Sequence, residues 1–115
     1  MAYVPERGDI VQIEFDPVTG MEMKDKHLCI VLSNKIFNEK GIAMICPISQ
    51  GAAHVARNFG TVVTLIEAGT DTQGAVQCHQ LQTLEWPIRQ LRFKEKVPTH
   101  IIEEIQSRME AILFQ

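Results

Sequence analysis

The sequence predicts a mainly β, α+β domain: a small antiparallel barrel with a C-terminal helix closing one side. Three observations carry this. Five or more strand-like segments crowd into residues 1–85, and the strongest helical periodicity falls after Pro98. The 115 residues are the size of a single domain, 1–115, and suffice to bury a core without metal or disulfide staples. Strands followed by a helix at the end form the pattern of an α+β layer architecture, and many short strands favour closure into a barrel.

The first strand is read from GDIVQIEF, Gly8 to Phe15, where Val11, Ile13 and Phe15 alternate with Gln12 and Glu14. A period of two marks a half-buried strand. DPVTG, at Asp16 to Gly20, carries Pro and Gly in turn positions, and the chain stays polar to Lys26, so a mobile loop is expected there. HLCIVLS (His27–Ser33) and IAMICPI (Ile42–Ile48) are continuous apolar runs of strand length and suit central strands. Between them, NKIFNEKG has room for a short helical turn. QGAAHVARN, at Gln50 to Asn58, reads as a long loop. GTVVTLI (Gly60–Ile66) and GAVQCHQLQTL (Gly74–Leu84) are rich in strand formers around the turn signal EAGTDTQ, and a hairpin is expected. Ile101, Ile105, Met109, Ile112 and Leu113 recur at helical spacing, with Pro98-Thr99 fitting the start.

Composition narrows the function classes. With 45% apolar and 22% charged residues the chain reads as a soluble globular protein. No run approaches the roughly 18 apolar residues of a membrane span, and MAYVPERGD lacks the layout of a signal peptide, so no membrane association and a cytoplasmic location are expected. Cys29, Cys46 and Cys78 each lie in an apolar stretch without CxxC spacing and are read as reduced, buried thiols. A formal charge of -3 gives no global attraction to nucleic acid, which leaves only a local basic patch for phosphates.

The chemistry-bearing side chains are few. On the Gly74–Leu84 segment, Gln77 and His79 are two residues apart and are expected on one strand face, with Val76 and Cys78 on the other, core face. That polar pair is either solvent-facing sheet surface or the floor of a cleft. His27 is either a strand-edge residue covering apolar surface or a proton-transfer group, since histidine changes charge near neutral pH. Ser49 is a strand-end hydroxyl, more often a turn or cap residue than a catalytic one. Glu22, Lys24 and Lys26 read as a solvated loop face. His27, His54, His79 and Cys78 include good zinc ligands. However, neighbours on a strand such as Cys78 and His79 point apart, and no metal site or cofactor is expected.

Several stretches together resemble the MazF/PemK/Kid family of toxin endoribonucleases, above all its PemK, Kid and ChpB branch. RGDIVQIEFDPVTGMEMK is similar to the family's opening strand and loop, IVLSNKIFN to its V-L-S-x-x-x-F-N segment, and CPISQG to its P-I-T-x-G. GAVQCHQLQTLEWPIR is similar to its G-x-V-x-x-D-Q-x-x-x-x-D-x-x-x-R hairpin. The resemblance spans nearly the whole chain. It implies an SH3-like barrel, a homodimer, a cognate antitoxin as partner, and metal-independent cleavage of single-stranded RNA through a 2′,3′-cyclic phosphate.

The chain departs from the pattern where the family's site lies. Met21 stands where the PemK and Kid branch has a histidine, and Gln77 and His79 stand where it has arginine and aspartate. His27 and Ser49 stand where the wider family has arginine and threonine. The implied catalytic set is therefore His27 and His79 as the acid–base pair, with Ser49 donating to a phosphate oxygen. Lys26 or Arg57 would clamp the phosphate, and Glu22, Lys24, Gln50, Gln77 and Gln80 would complete the RNA contacts. Two other readings stay open. One is a member that binds RNA or antitoxin without cleaving, and the other is a gyrase-targeting toxin on the same barrel, although AILFQ at the C-terminus lacks the Trp-Gly-Ile ending expected of that class.

Overall fold

The computed structural model describes residues 2–14, 27–49 and 60–115. Among the described residues seven antiparallel strands make one sheet: β1 (Asp9–Ile13), β2 (His27–Val31), β3 (Ala43–Ser49), β4 (Val62–Thr64), β5 (Ala75–Gln77), β6 (Gln82–Leu84) and β7 (Arg92–Lys96). The strand order is β4-β5-β3-β2-β1-β7, with β6 also pairing to β3. α1 (Lys35–Asn38) fills the β2–β3 connection, capped by the Asn34 side chain, and α2 (Thr99–Phe114) ends the chain. Among the described residues no helix is long and apolar enough to cross a membrane. The expected loops at 16–26 and 50–58, and Phe15, lie outside the described residues.

Apolar runs become central strands because both faces of the sheet are covered. One face packs Ile10, Ile30, Cys46, Ile48, Val63 and Val76 against Ile101 and Ile105 of α2. The other gathers Val11, Ile13, Cys29, Val31, Ile45 and Leu84, with Trp86 and Leu91 at its margin. β1 is consequently more buried than its alternation suggests. Ile10 and Val11, neighbours in sequence, are both inaccessible on opposite faces, and Glu14 is buried rather than facing solvent.

The C-terminal helix begins at Thr99 as expected, but its apolar stripe is used unevenly. Ile101 and Ile105 enter the core, Met109 is half-buried, and Ile112, Leu113 and Phe114 are exposed.

No apolar pattern in the sequence marks β7. Its sequence, RFKEK, is charged and mostly exposed because it is an edge strand, and charge on an edge discourages pairing with other chains. A register shift against β1 pairs Ile10 with Glu95 and Val11 with Phe93, leaving Lys94 as an extra residue. Such a bulge turns consecutive side chains toward one place. The Glu95 carboxylate accepts from the Asp71 and Thr72 amides and from the Thr72 hydroxyl at 3.0, 2.7 and 2.6 Å. Lys94 donates to that hydroxyl at 2.8 Å. Among the described residues no ladder joins β4 to β7. This clasp instead ties the β4–β5 connection to β7 through side chains, and the sheet of the described residues is not a closed barrel.

The Gly74–Leu84 segment is one strand in sequence and two in space. Ile48 and Ser49 pair with Val76 and Ala75, while Ala43 to Ile45 pair with Leu84 to Gln82. The β5 register would set His79 opposite Ile45, where Gln82 sits instead. Three residues, Cys78–Gln80, form a 3-10 turn that leaves the ladder and lets it resume. Pro47, which has no N–H to offer a ladder, lies in β3 at the level of this detour. The expected hairpin is present as β4 against β5.

Candidate active site at one end of the sheet

The site is built on a transverse row of the sheet. Ile13 pairs with His27, Ser49 with Ala75, and Ala75 with Thr64. Leu28 pairs with Ile48, so the next position outward sets His27 beside Ser49. Cross-strand neighbours share a face and lie about 5 Å apart. Two of the three expected catalytic residues are thus brought together. His27 opens β2 and is exposed, while Ser49 closes β3 and is half-buried. Strand ends suit this purpose because the ladder fixes the backbone while the side chain meets solvent.

His79 is placed differently from the expectation. Gln77 and His79 do not share a strand face, because the strand ends at Gln77 and His79 stands on the 3-10 turn. Gln77 is 6% exposed, and its amide donates to the Ala75 carbonyl at 3.4 Å. His79 and Gln80 are exposed. From Ala75, two strand residues and two of the turn carry the chain about 10 Å to His79. His27 lies two strand spacings, about 10 Å, to the side of Ala75. Laid out on a flat sheet, the two histidine backbones would stand roughly 14 Å apart.

A contact that the sequence did not suggest supports His79. Thr61 Oγ1 lies 2.9 Å from His79 Nδ1. Thr61 follows a glycine on an unremarkable strand entry, so no local signal could have marked it. Arg89 matches the last position of the hairpin pattern. It donates to the Glu14 carbonyl at 3.3 Å while its own carbonyl accepts from the Glu14 amide at 3.0 Å, which fixes the chain where β1 ends.

Glu22, Lys24, Lys26, Gln50 and Arg57 lie outside the described residues. In sequence, Lys26 directly precedes His27 and Gln50 directly follows Ser49. Among the described residues no three His, Cys, Asp or Glu side chains gather to hold a metal. The cysteines are buried, and removal from water pushes the Cys78 thiol up to about 11 and Cys46 to about 12, with Cys29 raised further. A thiol that far above neutrality is a packing group and not a nucleophile.

The chain matches, over residues 6–113, the model of the PemK-like, MazF-like toxins of type II toxin-antitoxin systems. It belongs to that family. Among its PemK-like relatives, the endoribonuclease toxin ChpB of Escherichia coli K12 is 32% identical over 94% of this chain and 93% of its own length. The endoribonuclease PemK of Escherichia coli is 30% identical over 94% of this chain and 81% of its own. The fold is shared with a chain in a crystal structure of MazE-MazF from Deinococcus radiodurans, with a TM-score of 0.82, 23% identity and 99% coverage of both chains. The PemK-like assignment agrees with the sheet, its C-terminal helix and the resemblance drawn from the motifs.

Proposed function

We propose that this PemK-like toxin is a metal-independent, sequence-selective endoribonuclease of the cytoplasm that cuts single-stranded RNA and is held inactive by a cognate antitoxin. The observation that carries this reading is the likeness to ChpB and PemK over nearly the whole chain, both of them named endoribonucleases. The MazE-MazF neighbour supports the antitoxin as partner.

In this reading one histidine removes the proton of a ribose 2′-hydroxyl, whose oxygen attacks the adjacent phosphorus. The bond to the 5′-oxygen breaks, the other histidine protonates that oxygen, and a 2′,3′-cyclic phosphate remains. His27 and His79 act in this reading from opposite sides of one phosphate. Ser49, beside His27, donates to a non-bridging oxygen as charge builds there. Lys26 or Arg57 supplies the positive charge. Gln80 is the exposed amide for a base or ribose contact, with Gln77 supporting the strand beneath it, and Glu22, Lys24 and Gln50 continue the groove. Single-stranded RNA fits because unstacked bases can be read edge-on.

The chain pairs as a homodimer in this reading. Phe37, Met44, Leu81, Met109 and Leu113 line a cavity of about 380 Å³, and the exposed end of α2 continues that apolar surface. A second copy is the occupant that would cover it, and Leu113→Glu is expected to convert a dimer to a monomer in light-scattering measurements.

The decisive experiment incubates the purified protein with labelled single-stranded RNAs of many sequences in EDTA. Discrete fragments ending in cyclic phosphate are expected. If no RNA is cut but RNA or antitoxin still binds, the protein is a binding member of the family. That outcome would fit the substitutions at Met21, Gln77 and His79.

A further inference from the structure

His79 sits on a three-residue turn lifted off the ladder, where the backbone alone does not fix the orientation of its ring. A ring that must transfer a proton to a fixed atom loses rate when it samples several rotamers. The structure supplies a restraint from a different element. Thr61 Oγ1 is 2.9 Å from His79 Nδ1, across 18 residues of sequence.

Thr61 is itself held on both sides. Its carbonyl accepts from the Cys78 amide at 3.0 Å, which locks it to the start of the turn. The preceding Gly60 has φ +67, a left-handed conformation that favours glycine, and its carbonyl accepts from Arg108 of α2 at 2.7 Å. Arg108 is steadied in turn by Glu104, 3.8 Å away on the same helix. The hydroxyl is thus mounted on backbone fixed by a strand neighbour and by the C-terminal helix.

We propose that Thr61 is the positioning residue of His79, its hydroxyl oxygen accepting the Nδ1–H so that Nε2 exchanges the proton with RNA. This rests on the reading of His79 as an acid or base given above. Imidazole carries a proton on Nδ1 in one neutral tautomer and also in the cation. A hydroxyl that accepts from Nδ1 therefore need not turn over as Nε2 gains and loses its proton. The opposite arrangement, with Thr61 donating to a bare Nδ1, would have to be broken each time the ring became charged. The first arrangement serves both halves of the reaction without rearrangement. It also explains why Arg108, far along α2, reaches back to the residue beside Thr61.

The test compares Thr61→Val, which keeps the branched shape and removes the oxygen, with Thr61→Ser, which returns it. NMR of protein carrying nitrogen-15 in its histidines reads which nitrogen of neutral His79 holds the proton, and single-turnover cleavage in EDTA reads the rate. Thr61→Val is expected to shift His79 toward the Nε2–H tautomer and to slow the chemical step about fivefold to tenfold, the scale of one hydrogen bond, with little change in KM. Thr61→Ser is expected to recover most of that loss. In a His79→Ala background Thr61→Val is expected to cost nothing more. An unchanged tautomer, or a loss that persists in the His79→Ala background, would overturn the proposal while leaving His79 in place. If His79→Ala alone leaves cleavage intact, the catalytic reading of His79 falls and the role of Thr61 falls with it.

Discussion

The first residue of β1 and the row at its last residue treat polar side chains in opposite ways. Asp9, at the start, is 2% exposed. Its carboxylate accepts from the Tyr3 hydroxyl and the Glu6 amide and lies 2.9 Å from Lys96, which also reaches Glu6 at 3.0 Å. Asn38 nearby is fully buried, donates to the Pro5 and Ser33 carbonyls, and offers its own carbonyl to Trp86. At the far end, Ile13 leads across the sheet to His27 and Ser49, which stand at strand ends, the first exposed and the second half-buried. Burial and bonding partners thus separate two uses of polarity. Polar groups in the interior tie segments together, while those at the strand ends of this row are held in place by the backbone ladder.

The strongest way to break this contrast is to remove a buried tie. Asn38→Ala leaves the Pro5 and Ser33 carbonyls without their donor in a dry site and is expected to cost about 3 kcal/mol of stability in urea unfolding, while the folded fraction still cuts RNA. Unchanged stability would mean that water or relaxation replaces those bonds. At the other end, His27→Ala and His79→Ala are each expected to lower the single-turnover rate about 100-fold with unfolding midpoints near wild type. Near-normal rates would move the acid and base elsewhere.

The clasp at Glu95 sharpens the contrast with a smaller effect. Partial burial alone would raise this carboxyl. The bonds from the Thr72 hydroxyl and the Asp71 and Thr72 amides, with Lys94 alongside, outweigh burial and hold it below the usual range. Its contribution to stability is complete above the unfolded value, near pH 4.5, and is lost as pH falls through the depressed folded value. Glu95→Gln is expected to cost about 1–2 kcal/mol at pH 7. The cost should shrink below pH 4, and a pH-independent difference would remove the carboxylate from the account. The smallest effect is expected at the thiols. Cys29, Cys46 and Cys78 should resist an alkylating reagent at pH 8 in the native protein and react once it is unfolded, because the thiolate is suppressed by burial.

Local pattern exposed much of this molecule. The runs at His27–Ser33 and Ile42–Ile48 became the central strands β2 and β3, NKIFN became α1, and α2 starts at Thr99. These readings rest on periodicity and capping, which neighbouring residues decide. β7 was hidden because an exposed edge strand carries alternating charge and no apolar pattern. The candidate site was legible as residue types, since His27, Ser49 and His79 stand in recognisable motifs. Its geometry was not, because the three-residue detour at Cys78–Gln80 leaves no mark in a sequence that reads as one strand.

The sequence by itself determined the central strands, the closing C-terminal helix and membership of a toxin family, because hydrophobic spacing and short motifs are properties of consecutive residues. Only the tertiary structure decided that His27 stands beside Ser49, that Gln77 turns inward while His79 is lifted out, and that Thr61 takes hold of the His79 ring. Each of these depends on which residue of one strand faces which residue of another. That register is set by pairings between distant segments, where a slip of a few residues redirects every side chain that follows.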